Sequence, residues 1–261
     1  MPWEWNAAAS LHSSPMRRFA LALSALLSLP SQAGEVSVAV AANFTVPMQK
    51  IAAAFERETG HTAILAFGST GRFHAQVRNG APFQVLLAGD DETPARLERE
   101  GHGVAGTRFT YAIGRLVLWS ASPSVVDARG EVLRRPGIAK VAIADPRLAP
   151  YGAAAVQVLQ KLGVEAAVRP RLVQGESIAQ AYQFVATGNA PLGFVALSQV
   201  MAEGRITHGS VWVVPADLHD PIRQDAVLLT PGKDQPAARA LLAFLRSDPA
   251  RAIVRAHGYE F

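Results

Sequence analysis

Short apolar runs alternate along this chain with longer stretches in which apolar side chains recur at helical spacing. Val36 to Val40 is the first run and predicts a buried strand. Met48, Ile51, Ala52 and Phe55 follow at i, i+3, i+4 and i+7, the stripe of a core-facing helix, and Gly60 stands at its C′ position. Ala63 to Phe67 predicts a second strand, followed by a helix with Phe73, Gln76 and Val77 near its start. Val85 to Ala88 predicts a third strand, and Pro94 to Glu100 a charged, solvent-facing helix. The long run Arg108 to Trp119 reads as a strand that passes from one lobe into another and bends at Gly114.

After a polar connector, Ser120 to Pro136, a second series begins. Lys140 to Ala144 predicts a strand, Ala153 to Leu162 a helix, and Arg171 to Gln174 a short strand. Ile178, Ala181, Tyr182 and Val185 repeat the i, i+3, i+4, i+7 spacing. Leu192 to Ala196, Val211 to Val214 and Ala226 to Leu229 predict further strands, and helices at Ala237 to Arg246 and Ala250 to Ala256 finish the chain. Strands alternating with helices indicate an α/β sheet in each half.

Four strand-to-helix turns carry a small or hydrogen-bonding residue: Asn43, Ser69-Thr70, Tyr151 and Ser177, two in each half. Asn43 and Ser177 are residue types that cap helices, and capping alone would explain them. Thr70 lies near two glycines, in Gly68-Ser69-Thr70-Gly71, which suits a close backbone approach or a plain turn. Tyr151, a bulky phenol between Pro150 and Gly152 in a loop, is the hardest to explain by packing. A helix that starts at the carboxyl end of a strand offers free N–H groups and the positive end of its dipole. Ligands of open α/β sheets bind beyond those strand ends. If the two halves face each other, the four starts converge on one cleft rich in neutral donors. Such a site suits a fully ionised tetrahedral dianion. Ile178 would act there through its backbone N–H.

Length and composition narrow this further. With 261 residues, 49% of them apolar, the chain can build one or two real cores. Cysteine is absent, which removes disulfides, thiolate metal sites and a cysteine nucleophile. The net charge of +4 comes without a basic stripe or nucleic-acid module, so it favours small anions over nucleic acid. Arg17-Arg18, the apolar run Phe19 to Leu29 and Ser31-Gln32-Ala33 form the pattern of a cleaved secretory signal peptide over 1–33, with Met1 or Met16 as the start. The apolar run is too short to span a bilayer. The mature protein is expected to begin near Gly34, in the periplasm.

Enzyme motifs are missing: there is no G-x-S-x-G elbow, P-loop, H-E-x-x-H or G-x-G-x-x-G. His61, His74, His102, His208, His219 and His257 are dispersed, and none is marked as a base. The triplet Asp90-Asp91-Glu92 fits carboxylates complementing a helix N-terminus better than a cation site.

Several runs together resemble the periplasmic molybdate-binding proteins of ABC importers. They are Ala41-Ala42-Asn43-Phe44-Thr45, Phe67-Gly68-Ser69-Thr70-Gly71-Arg72-Phe73, Asn79-Gly80-Ala81-Pro82-Phe83, Asp91-Glu92-Thr93-Pro94, Phe109-Thr110-Tyr111-Ala112-Ile113-Gly114, Ala149-Pro150-Tyr151-Gly152 and Leu192-Gly193-Phe194-Val195-Ala196-Leu197. The likeness covers essentially the whole mature chain in order. It implies a two-lobed type II periplasmic-binding-protein fold, each lobe a mostly parallel sheet flanked by helices, with the ligand cleft between lobes. The lobes would be 34–114 with 216–261, and 115–215. It also implies capture of molybdate, with tungstate as a second guest, and delivery to an inner-membrane permease by a monomeric, non-catalytic receptor. No cofactor, free-cation site or nucleic-acid partner is expected. By the same resemblance the anion would contact Asn43, Thr70, Tyr151 and Ile178, with Ala42, Ser69 and Ser177 adjacent. Ala42 lacks the hydroxyl that some members carry there, and Ala196 stands where another branch takes its tyrosine. A receptor for sulfate or another tetrahedral oxyanion, or an enzyme acting on a phosphorylated or sulfated substrate, remains the alternative.

Overall fold

Two five-stranded sheets among the described residues carry the chain, and each is built from the apolar runs of the sequence. The computed structural model describes residues 33–261. The expected targeting segment lies, through residue 32, outside the described residues. In chain order the strands are β1 (Glu35–Ala41), β2 (Thr62–Gly68), β3 (Val85–Leu87), β4 (Phe109–Gly114), β5 (Leu116–Ser120), β6 (Val141–Ala144), β7 (Leu172–Gly175), β8 (Leu192–Ala196), β9 (Met201–Ala202), β10 (Arg205–Ile206), β11 (Ser210–Val213) and β12 (Ile222–Leu228). The α-helices are α1 (Thr45–Thr59), α2 (Thr70–Arg78), α3 (Glu92–Arg99), α4 (Pro150–Lys161), α5 (Glu165–Val168), α6 (Ile178–Ala186), α7 (Leu197–Val200), α8 (Pro236–Phe244) and α9 (Asp248–Ala256).

The first sheet runs in the order β2-β1-β3-β12-β4 and the second β11-β5-β8-β6-β7, while β9 and β10 form a small hairpin. In the first sheet only β12 is antiparallel to its neighbours. In the second that strand is β5. Both odd strands lie next to a passage between the sheets. The chain leaves the first sheet through Arg115, between β4 and β5, and returns in the segment between β11 and β12. The bend expected in the run 108–119 is thus where one sheet ends and the other begins.

Both faces of each sheet are buried, which is why the strands read as nearly continuous apolar runs. Val36, Val38 and Val40 of β1 pack with Met48, Ile51 and Phe55 of α1 and with α8 and α9. On the opposite face Ala39 and Leu86 meet Phe73 and Val77 of α2 and Leu97 of α3. In the second sheet Leu116, Leu118, Ile143 and Phe194 pack on α4, while Val117, Trp119 and Val195 face Val185 of α6.

Three local expectations change. Ala52 is only half-buried, and Ala54 joins Met48, Ile51 and Phe55 in the buried face of α1, which packs against α8 and α9. The charged helix begins at Glu92 and buries Pro94 and Leu97 against the sheet. Tyr151 belongs to the first turn of α4 instead of a loop, since Pro150 is pre-organised for a first helical position.

Candidate functional site

The four strand-to-helix turns meet in one small cavity, lined by Ala41 to Asn43, Gly68 to Thr70, Ala149 to Tyr151, and Ile178. The first two groups come from the first sheet and the last two from the second. Close approach of backbone makes this possible. A Cβ at Gly152 would overlap the Ala144 carbonyl, so only glycine lets α4 start directly over β6. The Gly71 N–H donates to the Leu148 carbonyl (2.9 Å) across the two halves.

Each expected site residue has a distinct state. Ser69 is buried, and its Oγ has no hydrogen-bond partner among the described residues. Thr70 is equally buried, and its Oγ1 accepts from the Gly89 N–H (2.9 Å), which orients the hydroxyl and leaves its hydrogen for a guest. Thr70, Tyr151 and Ile178 lie in the first turns of α2, α4 and α6, where backbone N–H groups lack intrahelical acceptors. None of these three amides has another protein acceptor among the described residues. Ile178 buries its side chain and lends the cavity its backbone. Ser177 caps α6 by accepting from the Gln180 N–H, and it lines a neighbouring groove with Arg72 and Glu176 instead of the cavity. Ala42 lines the cavity with a methyl group.

Asn43 departs from its expected role. It caps no helix: a short 3-10 turn, Ala42–Phe44, precedes α1, and the Asn43 side chain turns away from the first turn. Its Nδ2 donates to Gln224 Oε1 (2.8 Å) and to the Tyr259 hydroxyl (3.0 Å). Both amide hydrogens are therefore engaged inside the protein, and what Asn43 can still offer a guest is backbone.

Those bonds belong to a buried polar hub behind the cavity, which sequence reasoning missed. Gln224, fully buried on β12, accepts from Asn43 through Oε1 and donates through Nε2 to the Tyr151 hydroxyl (3.1 Å). The Tyr111 hydroxyl lies 2.9 Å from the Ala88 carbonyl and 3.0 Å from Gln224 Oε1. Ser198 Oγ donates to the Asn43 carbonyl (2.8 Å). The Tyr259 hydroxyl is 2.8 Å from that carbonyl and 2.9 Å from Ser198 Oγ. Burial pushes the phenols of Tyr111 and Tyr151 well above their ordinary range. It pushes Tyr259 up to about 12, with hydrogen bonds to Ser198, Asn43 and Tyr151 pulling the other way. All three are neutral hydroxyls at physiological pH. Gly114, at the passage between sheets, makes room for the hub: a Cβ there would overlap the Tyr151 hydroxyl and the Gln224 amide.

No residue lining the cavity carries a formal charge. Arg72, the one cation within the four turns, is exposed in the neighbouring groove and pairs with Glu176 across the two halves. In the acidic triplet, Asp90 accepts from the Thr93 N–H (2.8 Å) at the start of α3, and burial raises its pKa. Among the described residues no group of three or more His, Asp or Glu is placed to hold a cation. The cavity thus offers convergent neutral donors without a counter-charge. That combination favours an acceptor-only anion, which turns each donor into a charge-assisted hydrogen bond.

A cleft between two α/β sheets, entered by helix N-termini from both, is the architecture of a periplasmic binding protein. A molybdate-binding protein of Azotobacter vinelandii is 59% identical over 248 residues, covering 95% of this chain and 98% of its own length. One of Rhodobacter capsulatus is 55% identical, over 92% of this chain and 94% of its own. A solved structure of an Azotobacter vinelandii periplasmic molybdate-binding protein superposes with a TM-score of 0.83 at 40% identity, over 87% of this chain and 99% of that one. A family model described as bacterial extracellular solute-binding protein matches residues 36–260, and the chain belongs to that family.

Proposed function

We propose that this protein captures molybdate in the cavity between its sheets and delivers it to the permease of an ABC importer. The observation that carries this is the unpartnered Ser69 Oγ, buried beside the free amides of Thr70, Tyr151 and Ile178 where no charged side chain lines the wall. The molybdate-binding relatives at 59% and 55% identity support the choice of guest. Ser69 and Thr70 serve as direct side-chain donors, and Thr70, Tyr151, Ile178 and the Ala42-Asn43 turn contribute backbone, with the Tyr151 phenol beside them. A hydrogen phosphate would bring an O–H that needs an acceptor, and the lining holds no carboxylate to take it. Sulfate shares the ionisation state of molybdate, so rejecting it depends on how far apart the helix starts hold their donors. Tungstate, of the same shape and charge, enters as a second guest.

The lobes, 34–114 with 216–261 and 115–215, close on the anion about the two passages between the sheets. The protein works in the periplasm as a monomeric receptor, without cofactor or catalytic step. Melting the protein with molybdate, tungstate, sulfate and phosphate tests this. A guest at a hundred times its dissociation constant adds about 2.7 kcal/mol of stability. Molybdate and tungstate should raise the transition at concentrations where sulfate and phosphate do not. No shift with molybdate or tungstate would remove the proposal, and a shift with sulfate alone would favour a sulfate receptor.

A further inference from the structure

The hub behind the cavity has a direction in its hydrogen bonds. Asn43 Nδ2 uses both hydrogens, on Gln224 and Tyr259. The Tyr111 hydrogen goes to Ala88 or Gln224, and the Tyr259 hydrogen to the Asn43 carbonyl or Ser198. With Gln224 Oε1 on the Asn43 donor, its Nε2 faces the Tyr151 oxygen. Tyr151 is therefore an acceptor within the hub, and its own hydrogen is left over. Two acceptors compete for it: the neighbouring Tyr259 oxygen, which already accepts from Asn43, and an oxyanion in the cavity that Tyr151 lines. A charged acceptor wins over a neutral phenol.

We propose that Gln224 is a positioning residue for the oxyanion site: by accepting from Asn43 and donating to Tyr151, its amide sets the turn at Asn43 and leaves the Tyr151 hydroxyl hydrogen for the guest. This rests on the oxyanion function above. Gln224 is fully buried and does not line the cavity, so its effect on the guest runs through those two neighbours. It also joins the first sheet to α4 of the second half, so the same amide ties the orientation of Tyr151 to the seating of the two halves.

The test is a double-mutant cycle read by titration calorimetry with sodium molybdate. Gln224→Met preserves the length of the side chain and removes both hydrogen-bonding ends. It should weaken molybdate about tenfold in the wild-type background and less than twofold in Tyr151→Phe, where there is no hydroxyl left to orient. A second readout guards against a mere loss of stability. With molybdate at saturation, wild type should show a tyrosine ultraviolet difference band that Tyr151→Phe lacks, and Gln224→Met should lose that band although the site is filled. Equal fold-losses in the two backgrounds, an unchanged affinity, or a retained band in Gln224→Met would overturn the role. A wild-type protein that binds no molybdate overturns the function and the role together. Binding by wild type with multiplying losses overturns the role alone.

Discussion

The cavity and the hub lie back to back, share Asn43 and Tyr151, and are opposite in hydrogen-bond state. In the hub every polar side chain has a partner at 2.8 to 3.1 Å. In the cavity the Ser69 hydroxyl and three backbone amides have none among the described residues. Buried polar groups left unpaired cost folding free energy, of the order of 1–3 kcal/mol each. A fold that satisfies one set and leaves the adjacent set open separates scaffold from site. Hub residues should matter first to stability, cavity residues first to affinity.

The harshest way to break this contrast is Gly114→Ala. The added methyl would overlap both the Tyr151 hydroxyl and the Gln224 amide, so the hub has to open. Overpacking of this kind should cost about 3 kcal/mol, visible as a lower urea midpoint, and should carry the anion response down with it. Little change in the midpoint would mean the hub is not the rigid element described.

Alkaline unfolding probes the hub without mutation. The Tyr259 phenol is raised from its ordinary 10 to about 12 in the folded protein, chiefly by burial. A raised phenol holds its proton in the folded state after the unfolded chain has lost it. Its contribution, about 3 kcal/mol at most, is therefore complete below pH 10 and lost as the pH rises through about 12. Denaturant midpoints should be level with respect to this group up to pH 10 and fall above it. The fall should be smaller in Tyr259→Phe.

The paired substitutions Ser69→Ala and Thr70→Val compare site and scaffold on adjacent residues. Ser69→Ala removes an oxygen with no protein partner, so the anion-free protein should melt no lower. Molybdate affinity should drop by about 2 kcal/mol, the scale of a hydrogen bond to a charged group. Thr70→Val removes the acceptor for the Gly89 N–H together with a hydroxyl hydrogen, so it should cost about 1 kcal/mol of stability as well as affinity. The reverse pattern would exchange their roles.

Much of this arrangement was legible in the sequence because it is local. The i, i+3, i+7 spacing of Ile178, Ala181 and Val185 follows from one helix face, and Gly60 ends α1 in the left-handed conformation, with φ 73°, that its position predicted. The four turns were visible as residue types, and the fold brings all four to one cavity. What stayed hidden depends on partners distant in the chain. Asn43 meets Gln224 and Tyr259 from 181 and 216 residues away, and nothing near position 43 separates a helix cap from a hub donor. Ser69 and Thr70 are adjacent hydroxyls in one turn, and only the position of the Gly89 N–H decides which of them also serves the scaffold as an acceptor. Gln224 and Tyr259 sit in ordinary strand and tail sequence without any motif to mark them, and the run that holds Tyr111 gives no sign of where its hydroxyl goes.

The central claim, that neutral donors from four helix starts hold the anion with no cation beside it, is tested most directly by anomalous diffraction at the molybdenum edge from crystals grown with molybdate. The account predicts one strong peak inside the cavity, ringed by Ser69 Oγ and the backbone of residues 42–43, 70, 151 and 178. A peak in the outer groove beside Arg72, or none between the sheets, would contradict it.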